Sequence, residues 1–504
     1  MRAPVMAFVL LLGLAIGCGS TPRPDVDNGE GTGLGTTGTQ AQVARERPPE
    51  SGPARDVSFP PIVRSTTASG LEVNSVEWHQ LPVVYVRLVI KSGAEADPAG
   101  MPGMAHLVGA MLKEGTRSRT SAQLAEEVAF LGADLWVGAD EENVHVGIRA
   151  LSEQLDDALA IVADVATNPA FRPDEVAKLK RRELDRLALQ NDRPTFLAAR
   201  ELYRRLYGQH PYAEIDTNPN VVRRIARTDM VRWHRQHFVP NNAALIVVGD
   251  VTAEQVSQAV DRAFRSWRAG QVPAPRYAAP PARDARQVLI VDRPESVQSV
   301  VAIGNLAIER SSPAWVPLQV ADQVLGGSAG SRLFMDLRER RSLTYGAYSD
   351  VGESVQVAPF QVRASVRNEV TGEAVAALFE HLDRIRTEPV PGEELANARR
   401  YLSDRFPLQI DTPGKIASMV ADLRIYGLPD DYWDGYRTSI GEVTSEQVLE
   451  AARADMRPDQ ALVVVVGRAA EIYEPLRRWG PVTVVTADGE EIRSFESGPA
   501  ATPE

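Results

Sequence analysis

The sequence is nearly without cysteine: Cys18 is the only one in 504 residues. No intrachain disulfide can form, so a body of this size must be held by apolar burial, even in an oxidising compartment. Basic stripes are missing too. The formal net charge is −12, and no run of clustered Lys and Arg offers a surface to a phosphate backbone, which argues against a nucleic-acid binder. A phosphate-cradling loop is also lacking. The stretch "LGGSAGS" at 325–331 is rich in glycine but has neither the lysine nor the strand-to-helix setting of a P-loop, and it reads as a turn before the next helix.

What is present, 44% hydrophobic and 24% charged residues, is the composition of a globular protein of two or three domains. The N-terminus "MRAPVMAFVLLLGLAIGCGS" has one early cation, an apolar run of about a dozen residues and then small residues. That is a secretory signal at 1–18, too short to span a bilayer. Its end, "LAIGC", resembles a bacterial lipobox, in which cleavage leaves Cys18 as a lipidated N-terminus. Residues 19–57 are Gly, Thr, Pro and Ser with almost no large apolar side chain, and they cannot offset their own ordering entropy. They read as a tether. The expected location is the bacterial cell envelope, facing the periplasm, with acyl chains in place of a membrane-spanning helix. Gly19 after the cysteine is compatible with the outer membrane.

A second Pro/Ala-rich stretch at 269–287 divides the rest into halves of similar length, 58–268 and 288–488, followed by a tail at 489–504. The halves repeat each other. "NNAALIVVGDVT" at 241–252 returns as "DQALVVVVGRAA" at 459–470, and "NPAFRPDEVAKLKRRELDRL" at 168–187 returns as "TEPVPGEELANARRYLSDRF" at 387–406. An offset of about 218 residues in both cases points to an internal duplication. Strands near 81–90, 134–139 and 143–150 alternate with helices near 101–114, 121–132, 151–166, 173–190, 194–206 and 227–237. The pattern predicts an α+β fold of two homologous αβ domains, each a mostly antiparallel or mixed sheet with helices packed on one face.

On a helix, residues i and i+4 share a face, so a metal site built there pairs two ligands at that spacing with a polar group at i+3. In "MPGMAHLVGAMLKEGT" at 101–116, His106 is followed by Gly109 and Ala110. Neither can bind a metal or move a proton. The other histidines, His79, His145, His210, His234, His237 and His381, have no carboxylate partner at metal-ligand spacing and read as structural.

The helix "GMAHLVGAMLKEGT" resembles the active-site helix of the pitrilysin and insulinase-like peptidases, mitochondrial processing peptidase among them, which carry H-x-x-E-H there. "SGAEADPAGMPGMAHL", "GQHPYAEI", "HFVPNNAALIVVGDV", "GLPDDYW" and "GEVTSEQVLEAA" fall in the order and spacing of that family, over nearly all of 60–485. The resemblance implies a zinc ligand at His106, a general base at Gly109, a second ligand at Ala110 and a distal glutamate at Arg186 or Leu187. Glu183 and Asp185 lie off that register. With three of four roles empty, the resemblance implies that this chain alone binds no zinc. In the second half, "GSRLFMDLRERRSLTYGAYS" resembles the family's substrate-binding pair, which falls on Arg338 and Tyr345. The implied protein is a non-catalytic, substrate-binding subunit of a zinc metallopeptidase acting on peptides. Its expected partner is a homologous H-x-x-E-H subunit that holds the zinc. The alternatives are a peptide-binding or scaffolding protein with no catalytic partner, and an autonomous peptidase with displaced ligands.

Overall fold

Two strands, Ala243–Gly249 and Leu462–Gly467, are buried at every position. A strand of that kind needs cover on both faces of its sheet. The computed structural model describes Gly52 and residues 57–498, and it shows where the cover comes from. The first sheet holds β1 (Val63–Thr66), β2 (Glu72–Glu77), β3 (Val83–Ile90), β4 (Asp134–Ala139), β5 (Val144–Leu151) and β6 (Ala243–Gly249), in the order β1-β2-β6-β3-β5-β4. The second holds β7 (Gln287–Asp292), β8 (Gln298–Leu306), β9 (Thr344–Val351), β10 (Pro359–Arg367), β11 (Leu462–Gly467), β12 (Val482–Val485) and β13 (Glu491–Phe495), in the order β13-β12-β7-β11-β8-β10-β9.

The duplication is visible strand for strand. β2-β6-β3-β5-β4 matches β7-β11-β8-β10-β9, with a parallel pair first and antiparallel pairs after it. Both sheets are mixed and mostly antiparallel, and helices of each half pack on one face of its own sheet, as the pattern predicted. The second face is covered by the opposite half. Helix Pro194–Tyr207 belongs to the first half in sequence, yet it packs Leu197, Leu202 and Leu206 against Leu289, Ala302 and Val464 of the second sheet. Helix Pro413–Ile425 crosses the other way, setting Ile416, Ala417 and Val420 against Val89, Ala244 and Ile246. Both helices start with proline, whose fixed φ and missing N–H suit the first helical position. Residues 57–498 group into one compact unit.

Two boundaries differ from the sequence reading. The 269–287 stretch has no regular element before β7, but it is docked: Tyr277 stacks on His210 at 5.2 Å, and Gly270 and Asn241 exchange two hydrogen bonds of 2.9 Å. The expected tail at 489–504 contains β13, which pairs antiparallel with β12 because Phe495 stacks on Tyr473 at 4.6 Å and gives the strand an apolar anchor. The signal at 1–18, Cys18, the tether apart from Gly52 and Val57, and residues 499–504 lie outside the described residues. Among the described residues no helix is long and apolar enough to cross a membrane.

The helix exchange makes a first-half residue responsible for second-half order. Leu202 is fully buried and packs on Gly304 of β8. Leu202→Ala is expected to cost about 2–5 kcal/mol, and amide exchange should speed up in β8 and β11. Unchanged protection of β8 and β11 would contradict the interlock.

Candidate functional site

Helix Met104–Leu112 carries His106, Gly109 and Ala110. Its N-terminus is fixed by Asp97, whose carboxylate accepts from the backbone N–H groups of Gly103 (2.6 Å), Met104 (3.0 Å) and Ala105 (2.8 Å). Three donors left without helical partners are thereby satisfied. Gly103 precedes the helix at φ +89°, and a Cβ there would lie 2.4 Å from Cβ of Thr217. Only glycine permits that approach, which brings the helix start up to Asp216 and Thr217.

His106 is half-exposed, and its Nε2 lies 3.4 Å from Oε1 of Glu183, a residue on helix Pro173–Asn191 that is only 4% exposed. The carboxylate facing His106 is thus that of Glu183, one helical turn before Arg186. Arg186, the position assigned from the family register, does not meet His106. Its Nε donates to both Glu183 oxygens at 3.0 Å, and its Nη2 donates at 2.6 Å to Glu183 and at 2.6 Å to Asp216. Residues i and i+3 share a helix face, which is how an offset of one turn still delivers the carboxylate. That spacing was the available signal for Glu183. Burial alone would raise the Glu183 carboxyl, but the hydrogen bonds and charges of His106 and Arg186 outweigh it and hold it down at about 2.

These residues do not fit zinc. His106 and Glu183 are two donors where three protein ligands are needed, and both Glu183 oxygens are engaged by a guanidinium. Ala110 has no ligand atom. Gly109 is buried, and a Cβ there would meet Val144 at 3.4 Å and Ala139 at 3.7 Å, ordinary contacts. Packing therefore does not demand glycine. Among the described residues, no group of three His, Cys, Asp or Glu side chains is placed to hold a metal ion.

The second candidate pair lies at the far edge of the other sheet. Arg338 sits on a π-helical turn, Met335–Arg340, and Tyr345 on β9, the edge strand. The structure brings the two together: Nη1 of Arg338 donates to the Tyr345 carbonyl at 3.1 Å, and its guanidinium lies 4.8 Å from the Phe334 ring centroid. The Tyr345 side chain is 87% exposed. Its neighbours Arg340 and Arg341 are drawn to buried Asp336, at 3.7 and 2.9 Å, whereas the carboxylate near Arg338 is the exposed, adjacent Glu339 at 3.3 Å. The loop at 325–331 supports the strand. Ser349 donates its N–H to the Gly326 carbonyl at 3.1 Å, and a Cβ at Gly326 would lie 2.3 Å from that nitrogen. No hydrogen bond or ion pair joins Arg338 or Tyr345 to His106, Glu183 or Arg186 among the described residues.

His210, His237 and His381 are buried and have partners within the fold. His210 Nδ1 accepts from the Tyr212 N–H at 3.1 Å, His237 contacts Ser92 Oγ at 3.0 Å, and His381 contacts Asp336 at 2.9 Å.

The lowered Glu183 carboxyl fixes a pH dependence. An ordinary unfolded glutamate titrates near 4.3, so the stability Glu183 contributes is complete above that pH and is lost as pH falls toward about 2. At pH 7 the wild type should exceed Glu183→Gln by on the order of 3 kcal/mol in urea melts, and the margin should close on acidification. A margin independent of pH would leave Glu183 as a packing residue.

Comparison with known proteins identifies the family and the fold. Residues 72–220 fit the Insulinase (Peptidase family M16) domain, and residues 224–402 fit the Peptidase M16 inactive domain, together more than half of the chain. An uncharacterized zinc protease of Rickettsia bellii is 26% identical over 350 residues, covering 68% of this chain and 82% of that protein. An uncharacterized zinc protease of Streptomyces coelicolor is 22% identical over 398 residues, covering 78% and 86%. Among solved structures, the M16 inactive domain from Pseudomonas fluorescens superposes with a TM-score of 0.76 at 27% identity, covering 81% of this chain and 98% of that one. A protease from Helicobacter pylori superposes at 0.77 with 19% identity, covering 81% and 99%. With both of its domains matched in order along one polypeptide, the chain belongs to peptidase family M16.

Proposed function

We propose that the chain is a non-catalytic, peptide-binding subunit of a heteromeric zinc metallopeptidase. The observation that carries this reading is the contrast between the two sites. Glu183 beside His106 is engaged by Arg186, while the Tyr345 side chain on the edge strand and the Arg338 guanidinium on the turn before it are solvent-accessible. In this reading a homologous partner bearing H-x-x-E-H holds the zinc. Arg338 and Tyr345 supply donors to the substrate carbonyl there, and those donors gain most when negative charge develops on the oxygen. β9 also presents an unpaired strand edge, to which an extended peptide adds through backbone hydrogen bonds. The same proposal places the subunit at the periplasmic face of the outer membrane, anchored through lipidated Cys18.

Two measurements test it. The chain is mixed with an H-x-x-E-H homologue from the same cell, and peptide cleavage by the pair is measured. Arg338→Ala and Tyr345→Phe should each lower kcat/KM of the pair about 10²-fold, while this chain alone stays inactive. Full activity of both variants would sink the assignment. For the anchor, Cys18→Ser should move the protein from the membrane fraction to the soluble one and remove the acyl mass; no change in either would refute it.

A further inference from the structure

An acidic chain has an unusual place for uncompensated arginines. A cavity of about 490 Å³ opens between the loop after the His106 helix, the turn at 167–171, helix Arg227–His237 and the segment at Trp267–Arg268. Arg117, Arg227, Arg235 and Arg268 line it, and no Asp or Glu does. Among the described residues none of the four forms an ion pair. Arg227 Nε donates to the Phe171 carbonyl at 2.6 Å and Arg268 Nη1 to the Arg265 carbonyl at 3.3 Å, while the guanidiniums of Arg117 and Arg235 have no hydrogen-bond partner. Two residues from Arg117, by contrast, Arg119 is clamped between Glu127 at 2.5 Å and Asp164 at 2.7 Å.

The cavity wall is organised. His234 stacks on Phe238 with ring centroids 4.3 Å apart and meets Phe171 edge-on at 5.6 Å. Its Nε2 contacts the Ala166 carbonyl at 2.8 Å, so the neutral ring donates there and leaves Nδ1 as an acceptor. Burial pushes the imidazole down to about 4; the hydrogen bond to Ala166 opposes that shift, and the charges of Arg117 and Arg235 add to it. Phe171 adopts φ +46°, a conformation uncommon for a side chain of this size, and in it the residue's carbonyl receives Arg227.

All four arginines are solvent-exposed, so water and salt screen their repulsion, and what they offer an anion is a concave cationic surface with no competing carboxylate. Guanidinium forks match phosphate oxygens in pairs. Arg227 and Arg235 lie on one helix, and Arg117 approaches from the loop after the His106 helix, so guanidiniums reach the cavity from more than one element. We propose that this cavity binds a phosphate-bearing ligand, with Arg117 and Arg235 as its principal contacts, supplied either by an anionic lipid headgroup or by a soluble phosphate ester.

Inorganic pyrophosphate is titrated into the full chain at low ionic strength, followed by calorimetry and by the NMR titration of His234. Saturable one-to-one binding is expected, with the His234 pKa rising on binding. Arg117→Glu/Arg235→Glu should weaken binding at least tenfold, and Arg400→Glu, an exposed arginine in the second half, should not. The milder Arg117→Gln and Arg235→Gln carry the comparison if the double reversal fails to fold. Flotation with phosphatidylglycerol or phosphatidylcholine vesicles, using the Cys18→Ser chain so that no acyl group contributes, distinguishes the sources. Binding to phosphatidylglycerol vesicles alone that is lost in the arginine variant identifies a headgroup. Pyrophosphate binding without vesicle binding identifies a soluble ester. The proposal is overturned if neither probe binds, or if the arginine variants bind as the wild type does.

Discussion

The reciprocal exchange of two helices is the contact on which the rest of the structure depends. A sheet whose central strands are apolar on both faces cannot be finished by helices on one side. β6 and β11 are such strands, and each half completes the other by lending one helix. Burying a leucine fully is worth roughly 1.5–3 kcal/mol, and helix Pro194–Tyr207 places Leu197, Leu202 and Leu206 on the foreign sheet. Separating the halves would expose all of them together with the strands beneath. The Glu183 helix runs directly into this exchanged helix, so the ion pairs at His106 are positioned by an element that is itself anchored across the molecule.

At the His106 site, electrostatics rather than shape sets what the residues can do. A metal ion at a carboxylate and an imidazole supplies positive charge to buried anions. Here Arg186 supplies that charge, bridging Glu183 and Asp216. A buried carboxylate without such a partner would be expected to neutralise by taking up a proton. The guanidinium lets it stay ionised, and in doing so occupies the lone pairs a metal would need. Gly109 and Ala110 offer no ligand or base, and one helix away Arg186 provides the positive charge beside Glu183.

Much of this was legible in the sequence, and what was not has physical reasons. The continuous apolar runs at 243–249 and 462–467, the proline-marked helix starts and the 218-residue offset revealed the duplicated α+β body, because local periodicity and repetition are properties of the chain alone. The exchanged helices were legible as helices but not as exchanged, since an apolar stripe does not say which sheet it meets. Glu183 was displaced from its role by counting along an alignment, when the relevant distance was one turn of helix. The β13 strand hid in a polar tail because its anchor, Tyr473, is more than twenty residues away from Phe495. The arginine cavity leaves little local trace, as its four cations come from three separate stretches between 117 and 268.

Three fates of arginine order the functional landscape of this chain. Arg186 spends its charge on Glu183 and Asp216. Arg338 gives one N–H to the Tyr345 carbonyl and packs on Phe334, which orients its guanidinium while leaving other donors open. Arg117 and Arg235 spend none of theirs on protein anions. A guanidinium already neutralised by protein carboxylates has little left to offer a ligand, and one held in place but uncompensated has most. By that measure the β9 edge and the arginine-lined cavity are the surfaces proposed for recognition, and the carboxylate beside His106 is the best satisfied by protein charge of the three.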